Sequence, residues 1–203
     1  MHQAWEQGFM GDKSAQKKKL IVERARRVFM EKGYKEVTMK DIVEECDISR
    51  GGLYLYFQNT REVFEEVLRC GQEDADDGFE KSIPEHAAPS EILALFLKEQ
   101  KKEILSKKPS LNIAVYEYFF ENKMMPKENL LKKQFDAAVY IIEKLIEQGT
   151  ENGEFYCEDA RGAARNIMYV LEGLKIASFT RGIPESAVDR EIMYVMQGLI
   201  AEE

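Results

Sequence analysis

Apolar residues recur along this chain at the three-to-four spacing of helices, and no segment reads convincingly as a strand. From Gln16 to Lys32, Leu20, Ile21, Val22, Ala25, Val28 and Phe29 line up among Lys17, Lys18, Lys19, Arg24, Arg26 and Arg27. That spacing predicts an amphipathic helix with a basic side, stopped by Gly33. In "TMKD", Thr38 supplies an N-cap hydroxyl and Asp41 follows three residues on, close to a capping box. It opens a short second helix that buries Ile42 and Val43 and ends near Cys46. Asp47 tolerates the left-handed backbone of a tight turn, Ile48 can point back into the core, and Ser49 caps a third helix. The order is helix, three- or four-residue turn, helix. Thr60 is expected to cap a fourth helix carrying Val63, Phe64, Val67 and Leu68 towards residue 80. "IPEHAAPSE" interrupts the pattern, which restarts at Ser90. Further helical segments cover roughly 91–106, 110–122, 127–149, 159–180 and 185–201, separated by Pro109, Pro126, the Gly149 to Gly153 turn and "RGIP". The expectation is an all-α chain of nine helices.

One stretch resists its own composition. "ISRGGLYLYF", Ile48 to Phe57, is strand-like in residue preference yet stands where the second helix of a helix-turn-helix belongs. As a helix over Arg50–Phe57 it turns Leu53 and Phe57 inward, one turn apart. Tyr54 and Tyr56 then project with hydroxyls that can donate to phosphate, the alternative being two half-buried core tyrosines. Gly51 and Gly52 cost the helix about 1 kcal/mol each, and in return they remove side chains that would hold the backbone off a groove. Arg50, in the first turn, can bridge guanine O6 and N7; a phosphate contact or a mobile surface arginine are the alternatives. Lys40 and the Thr38 hydroxyl are expected at the DNA backbone. Lys17 to Lys19 read either as an arm on phosphates or in the minor groove, or as a frayed solvated terminus.

Charge sharpens this picture. The chain of 203 residues carries a net charge of -8, but residues 1–61 hold 12 Lys and Arg against 9 Asp and Glu, so the acidic surplus lies downstream. The first segment is therefore the part suited to a polyanion. Hydrophobic residues make up 44%, enough for a proper core. No apolar run approaches a membrane span and Met1 to Asp12 is not built like a signal peptide, so the expectation is a cytoplasmic protein with no membrane partner. Residues 1–15 read as a flexible tail, in which residues before Met10 look structureless and Met10 itself could be a start. Cys46, Cys70 and Cys157 have neither disulfide nor zinc spacing and read as small apolar residues. With two histidines, His2 and His86, no nucleophile elbow, no phosphate-cradling loop and no metal-ligand cluster, neither an enzyme nor a cofactor is expected.

The segment "VTMKDIVEECDISRGGLYLYFQNTREVF" resembles the DNA-binding segment of the tetracycline-repressor (TetR) family of bacterial transcription regulators. The matching features are Gly33, Thr38, Ile42, the Ile48-Ser49 pair, Gly51, Leu53-Tyr54, Tyr56-Phe57 and Glu62. Two positions depart from the family pattern: Gly52 stands for a small hydroxylated residue, and Thr60 for a phosphate-binding lysine, whose role Thr60 and Arg61 would share. The resemblance implies a two-domain regulator, with a helix-turn-helix domain over 16–60 and an effector-binding and dimerisation domain over 61–203. It implies DNA contacts from Thr38, Lys40, Ser49, Arg50, Gly51, Gly52, Tyr54, Tyr56, Thr60 and Arg61. It also implies a homodimer through the last two helices, on a near-palindromic operator, released by a small lipophilic effector. The dimer candidates are Ala163, Ala164, Ile167, Leu171 and Leu174, with Ile192, Val195, Met196 and Leu199; either stripe could equally face the subunit core. Effector candidates are Phe96, Tyr116, Phe119, Phe120, Tyr140 and Met168, several from the aromatic- and methionine-rich "VYEYFFENKMM" at 115–125. A competing reading is a helical protein-interaction module that has lost DNA binding; Arg50, Tyr54 and Tyr56 speak against it.

Overall fold

The computed structural model describes residues 2–80, 83–84, 86–122 and 129–199, with side chains described at 14–71, 83–84, 86–122 and 129–199. Among these residues there are nine helices and no strand: α1 His2–Lys32, α2 Met39–Cys46, α3 Arg50–Tyr54, α4 Thr60–Glu80, α5 Pro89–Leu105, α6 Asn112–Glu121, α7 Leu130–Glu151, α8 Ala160–Arg181 and α9 Glu185–Gln197. None of the described helices is long and apolar enough to cross a membrane. The chain divides into one unit of Met1–Lys81 with Lys108–Lys123, and another of Ser82–Lys107 with Met124–Glu203.

In the first unit, α1, α2, α3, α4 and α6 share a core. α1 buries Ile21, Val22, Ala25, Val28 and Phe29; Ile42, Leu53, Phe57, Val63, Phe64 and Val67 come from the following helices, and Ala114 and Tyr118 from α6. Four rings interlock at its centre, with centroids 4.7 Å apart for Phe29–Phe64, 5.0 Å for Tyr34–Phe64 and Tyr34–Tyr118, and 5.2 Å for Phe64–Tyr118. The turns fall where their residues allow. Gly33 at φ 79° ends α1, and Asp47 at φ 51° turns the chain after α2. Thr38 and Asp41 form the full capping box.

Four boundaries depart from the sequence pattern. α1 begins at His2, ahead of the first periodic apolar residue. α3 closes at Tyr54 rather than Phe57, because the Leu53 carbonyl accepts both Tyr56 N–H at 2.9 Å and Phe57 N–H at 3.1 Å and the last turn tightens. Thr60 does not cap α4; it is the first helical residue. Asn59 caps instead, its Oδ1 accepting from Glu62 N–H at 2.9 Å while Glu62 Oε2 accepts from Gln58 N–H at 2.7 Å. α5 starts at Pro89, whose missing N–H costs nothing in a first turn.

The second unit packs α7 along α8, with α5 and α9 against them. Leu93, Leu97 and Ile104 meet Val139, Ile142 and Ile146, Ile167, Leu171 and Leu174, and Val188 and Val195 in one apolar core. Ser178 Oγ donates to the Ile104 carbonyl at 2.6 Å, and Lys101 joins α5 to Glu185 and Asp189 of α9 at 2.8 and 2.5 Å. After α7 the chain folds back so tightly that a Cβ on Gly149 would lie 2.3 Å from the Phe155 ring. Phe155 is itself in the core. Gly149→Ala should gain about 1 kcal/mol of helix propensity and lose about 1–3 kcal/mol to overpacking. Thermal melting should show a lowered Tm; a raised one would mean that Phe155 swings clear.

Candidate nucleic-acid interface

The α2–turn–α3 surface is held by short-range hydrogen bonds. The Thr38 hydroxyl donates to Asp41 Oδ2 at 2.7 Å and accepts from Asp41 N–H at 3.3 Å, so its first task is the cap. Lys32 closes on Asp41 Oδ1 at 2.6 Å. The Lys32 ammonium, then the Thr38 hydroxyl and N–H, hold the Asp41 carboxyl down at about 2. Ser49 Oγ accepts from Gly52 N–H at 3.1 Å, which starts α3. A Cβ on Gly52 would sit 3.2 Å from that same oxygen, whereas a Cβ on Gly51 would meet nothing. Gly52 therefore protects the cap, and Gly51 leaves bare backbone at the surface.

The remaining DNA-contact candidates lie around this turn. Arg50 is exposed, with its guanidinium 5.5 Å from the Tyr54 ring centre, which steadies the long side chain. Leu53 and Phe57 are buried, as their spacing requires, and Tyr54 and Tyr56 are half-buried with Tyr56 Oη 3.5 Å from Ser14 Oγ. Lys40 makes only a loose pair with Glu44 at 3.5 Å, both highly exposed, and so can be drawn to another anion. Thr60 is in the first turn of α4, and Arg61 Nε is tied to Glu65 at 2.8 Å. Lys18 differs from Lys17 and Lys19: it pairs with Glu66 at 2.8 Å and covers the Phe57 ring, while the other two are exposed.

Two neighbours on α6 that the sequence pattern does not single out tie this surface from behind. Glu117 Oε2 accepts from the N–H groups of Tyr34 at 2.6 Å and Lys35 at 3.2 Å, just after the left-handed Gly33. Tyr118, 1% exposed, donates its hydroxyl to Glu65 Oε1 at 2.6 Å, the same oxygen that Arg61 reaches. Burial, reinforced by the Glu65 hydrogen bond, pushes the Tyr118 phenol well above its ordinary range. Burial also pushes Glu65 up, but hydrogen bonds from Tyr118 and Arg61 together outweigh it and bring the carboxyl below its usual value.

The effector and dimer candidates are dispersed. Phe96 and Met168 pack against the core of the second unit, Tyr116 and Phe119 are half-buried in the first, and Phe120 and Tyr140 are exposed. Residues 123–125 of the aromatic- and methionine-rich segment lie outside the described residues. A cleft of about 360 Å³ in the second unit is lined by five carboxylates, Glu143, Glu147, Glu151, Glu158 and Asp159, with Thr150, Cys157, Ala160 and Arg161, and by none of these six. Of the stripe residues, Ala164, Ile167, Leu171, Leu174, Val195 and Leu199 are buried in the chain's own core, with Ala163, Ile192 and Met196 at its margin. The outward apolar side chains of α8 and α9 are Tyr169, Ile176, Met193 and Tyr194. Helical periodicity marks the buried side of such helices and is silent about these.

Comparison with known proteins agrees with the geometry. Residues 21–67 match a family model described as bacterial regulatory proteins of the tetR family, and residues 92–200 match the tetracyclin repressor-like C-terminal domain. The HTH-type transcriptional regulator YfiR of Bacillus subtilis is 32% identical over 136 residues, 66% of each chain. The biofilm operon negative transcriptional regulator IcaR of Staphylococcus aureus is 32% identical over 50 residues, 25% of this chain and 27% of that one. A solved TetR-family regulator from Agrobacterium tumefaciens superposes with a TM-score of 0.74 at 16% identity, covering 92% of this chain and 99% of that one.

The Asp41 box should be visible in acid. Its folded carboxyl titrates near 2, below the value of about 4 expected unfolded, so its stabilisation is complete above pH about 4 and is lost as pH falls towards about 2. Asp41→Asn should be less stable than wild type at pH 7, with the difference in Tm shrinking across that window. A difference that stays constant down to pH 2 would contradict the assignment.

Proposed function

The chain belongs to the TetR family of bacterial regulatory proteins, and on that premise we propose that it is a ligand-responsive transcriptional repressor acting on a near-palindromic operator as a dimer. The observation that carries this reading is the surface of α3: Arg50 and Gly51 are exposed and Tyr54 is half-buried, while Leu53 within the helix and Phe57 just beyond it anchor it from within. In a major groove the Arg50 guanidinium can span guanine O6 and N7. Ser49 and Gly52 hold the start of that helix, and the exposed glycine backbone lets it approach closely. Lys40, Tyr54, Tyr56, Thr60 and Arg61 supply donors for phosphates, which set register without reading sequence, while the Thr38 hydroxyl and N–H, both given to Asp41, hold the helix start that carries Lys40.

Dimerisation is proposed through α8 and α9. Tyr169, Ile176, Met193 and Tyr194 are exposed apolar groups on them, and Gly173, exposed and with open space around it, lies between Tyr169 and Ile176 where a partner helix could come close. Ala163, Ile192 and Met196 border this face, and the buried stripe residues stiffen it from below. Such a dimer presents two α3 helices to half-sites about 34 Å apart. A lipophilic effector that favours a different spacing would release DNA; a coupling of about 1–3 kcal/mol suffices. Phe96 and Met168, half-buried beside the core of the second unit, are candidate contacts for it.

Selection from random duplexes at about 0.1 M salt should enrich a near-palindrome, and failure to enrich any sequence would refute the repressor. On that duplex Arg50→Ala should cost about 1–3 kcal/mol and relax specificity at one position per half-site. Lys40→Ala should instead weaken binding to all sequences alike and reduce the salt slope by about one. Light scattering should give twice the 23.5 kDa chain mass, and Tyr194→Glu should shift it to the single-chain value without unfolding the protein.

A further inference from the structure

Every large apolar side chain of α3 and its following turn has a role in this scheme except Leu55. It is 81% exposed, more than any other large hydrophobic side chain described, at the C-terminal end of α3. Its N–H donates to the Gly51 carbonyl at 3.2 Å, so it stands one turn beyond Gly51 and opposite the buried Leu53 and Phe57. A Cβ at Gly51 would touch nothing. The outer edge of α3 is therefore bare backbone followed by an isobutyl group.

Nothing in the chain's own core uses that group, and water gives it no stabilisation. Its neighbours in the sequence decide what does. Arg50, Tyr54 and Tyr56 carry guanidinium and phenol donors, which suit an acceptor-rich groove better than an apolar protein surface. In a major groove thymine offers an apolar group, its C5-methyl. We propose that Leu55 is a specificity-determining residue that reads one thymine per half-site through van der Waals contact with its C5-methyl group. The inference rests on the operator-binding function proposed above and adds a base to its code beside the one assigned to Arg50. It also accounts for the exposed glycine: a side chain at position 51 would stand on the face that must close for leucine to reach a base.

The test uses the full chain and the duplex obtained by selection, with each thymine replaced in turn by deoxyuridine, which lacks only the methyl. One thymine per half-site should weaken wild-type binding about fourfold when replaced, the amount expected for one methyl group removed from apolar contact. Leu55→Ala should weaken binding to the unmodified duplex and become indifferent to that replacement. Leu55→Met, which retains reach, should keep the dependence. Both variants should melt with wild type, because Leu55 is outside the core. If wild type binds the selected duplex but no deoxyuridine position separates it from Leu55→Ala, the thymine contact is refuted while the repressor stands. If selection enriches no duplex, the repressor reading fails and the thymine contact with it.

Discussion

A phenol cannot be buried with its hydroxyl unanswered, and Tyr118 is almost fully buried. Its ring fills the centre of the aromatic cluster formed with Tyr34 and Phe64, and its hydroxyl needs an acceptor that reaches the same depth. Glu65 is that acceptor, and it also binds Arg61 in the first turns of α4. One residue earlier on α6, Glu117 takes the two N–H groups that the left-handed Gly33 turns outward. Adjacent side chains of α6 thus fasten the α1–α2 turn and the start of α4 together. Hydrogen bonds to charged groups are worth about 1.5–3 kcal/mol each. A displacement of α6 that broke even one of these contacts would cost as much as the whole coupling typical between an effector and DNA. The arrangement makes α6 a stiff mount for the binding surface.

α3 cannot stand by itself. Five residues are far too few for an independent helix, and two of them are glycines. What defines it is a cap at one end, the Ser49 oxygen on Gly52 N–H, and two anchors beneath, Leu53 and Phe57. The outward side is then free to be chosen for chemistry alone. It bears one long cation and bare glycine backbone, with Leu55 exposed just past its end.

Much of this was legible in the sequence because it is set by local physics. The positive φ at Gly33 and Asp47, the Thr38 box and the Ser49 cap each depend on residues within a few positions of one another. Local ambiguity produced the misplacement at α4: Asn59 and Thr60 are both good caps, and it is the reach of Glu62 to Gln58 N–H that selects the former. The grip of α6 was invisible for a different reason. Glu117 and Tyr118 meet partners 83 and 53 residues away, and no spacing rule predicts those. The stripes of α8 and α9 show a third limit. Periodicity reveals that one side of a helix is covered, not by what, and here the chain's own core covers Ile167, Leu171 and Leu174. Leu55 carries no such signal, because in the alternating "LYLYF" it shares its register with the buried Leu53 and Phe57.

Two copies of α3, held by one dimer, should lie in successive turns on the same face of the duplex. Hydroxyl-radical footprinting of the protein on its selected duplex tests it most directly. A two-fold regulator gives two protected patches related by symmetry, with centres about 34 Å apart along the axis. A single unsymmetrical patch at saturation, or protection without a boundary, would contradict it.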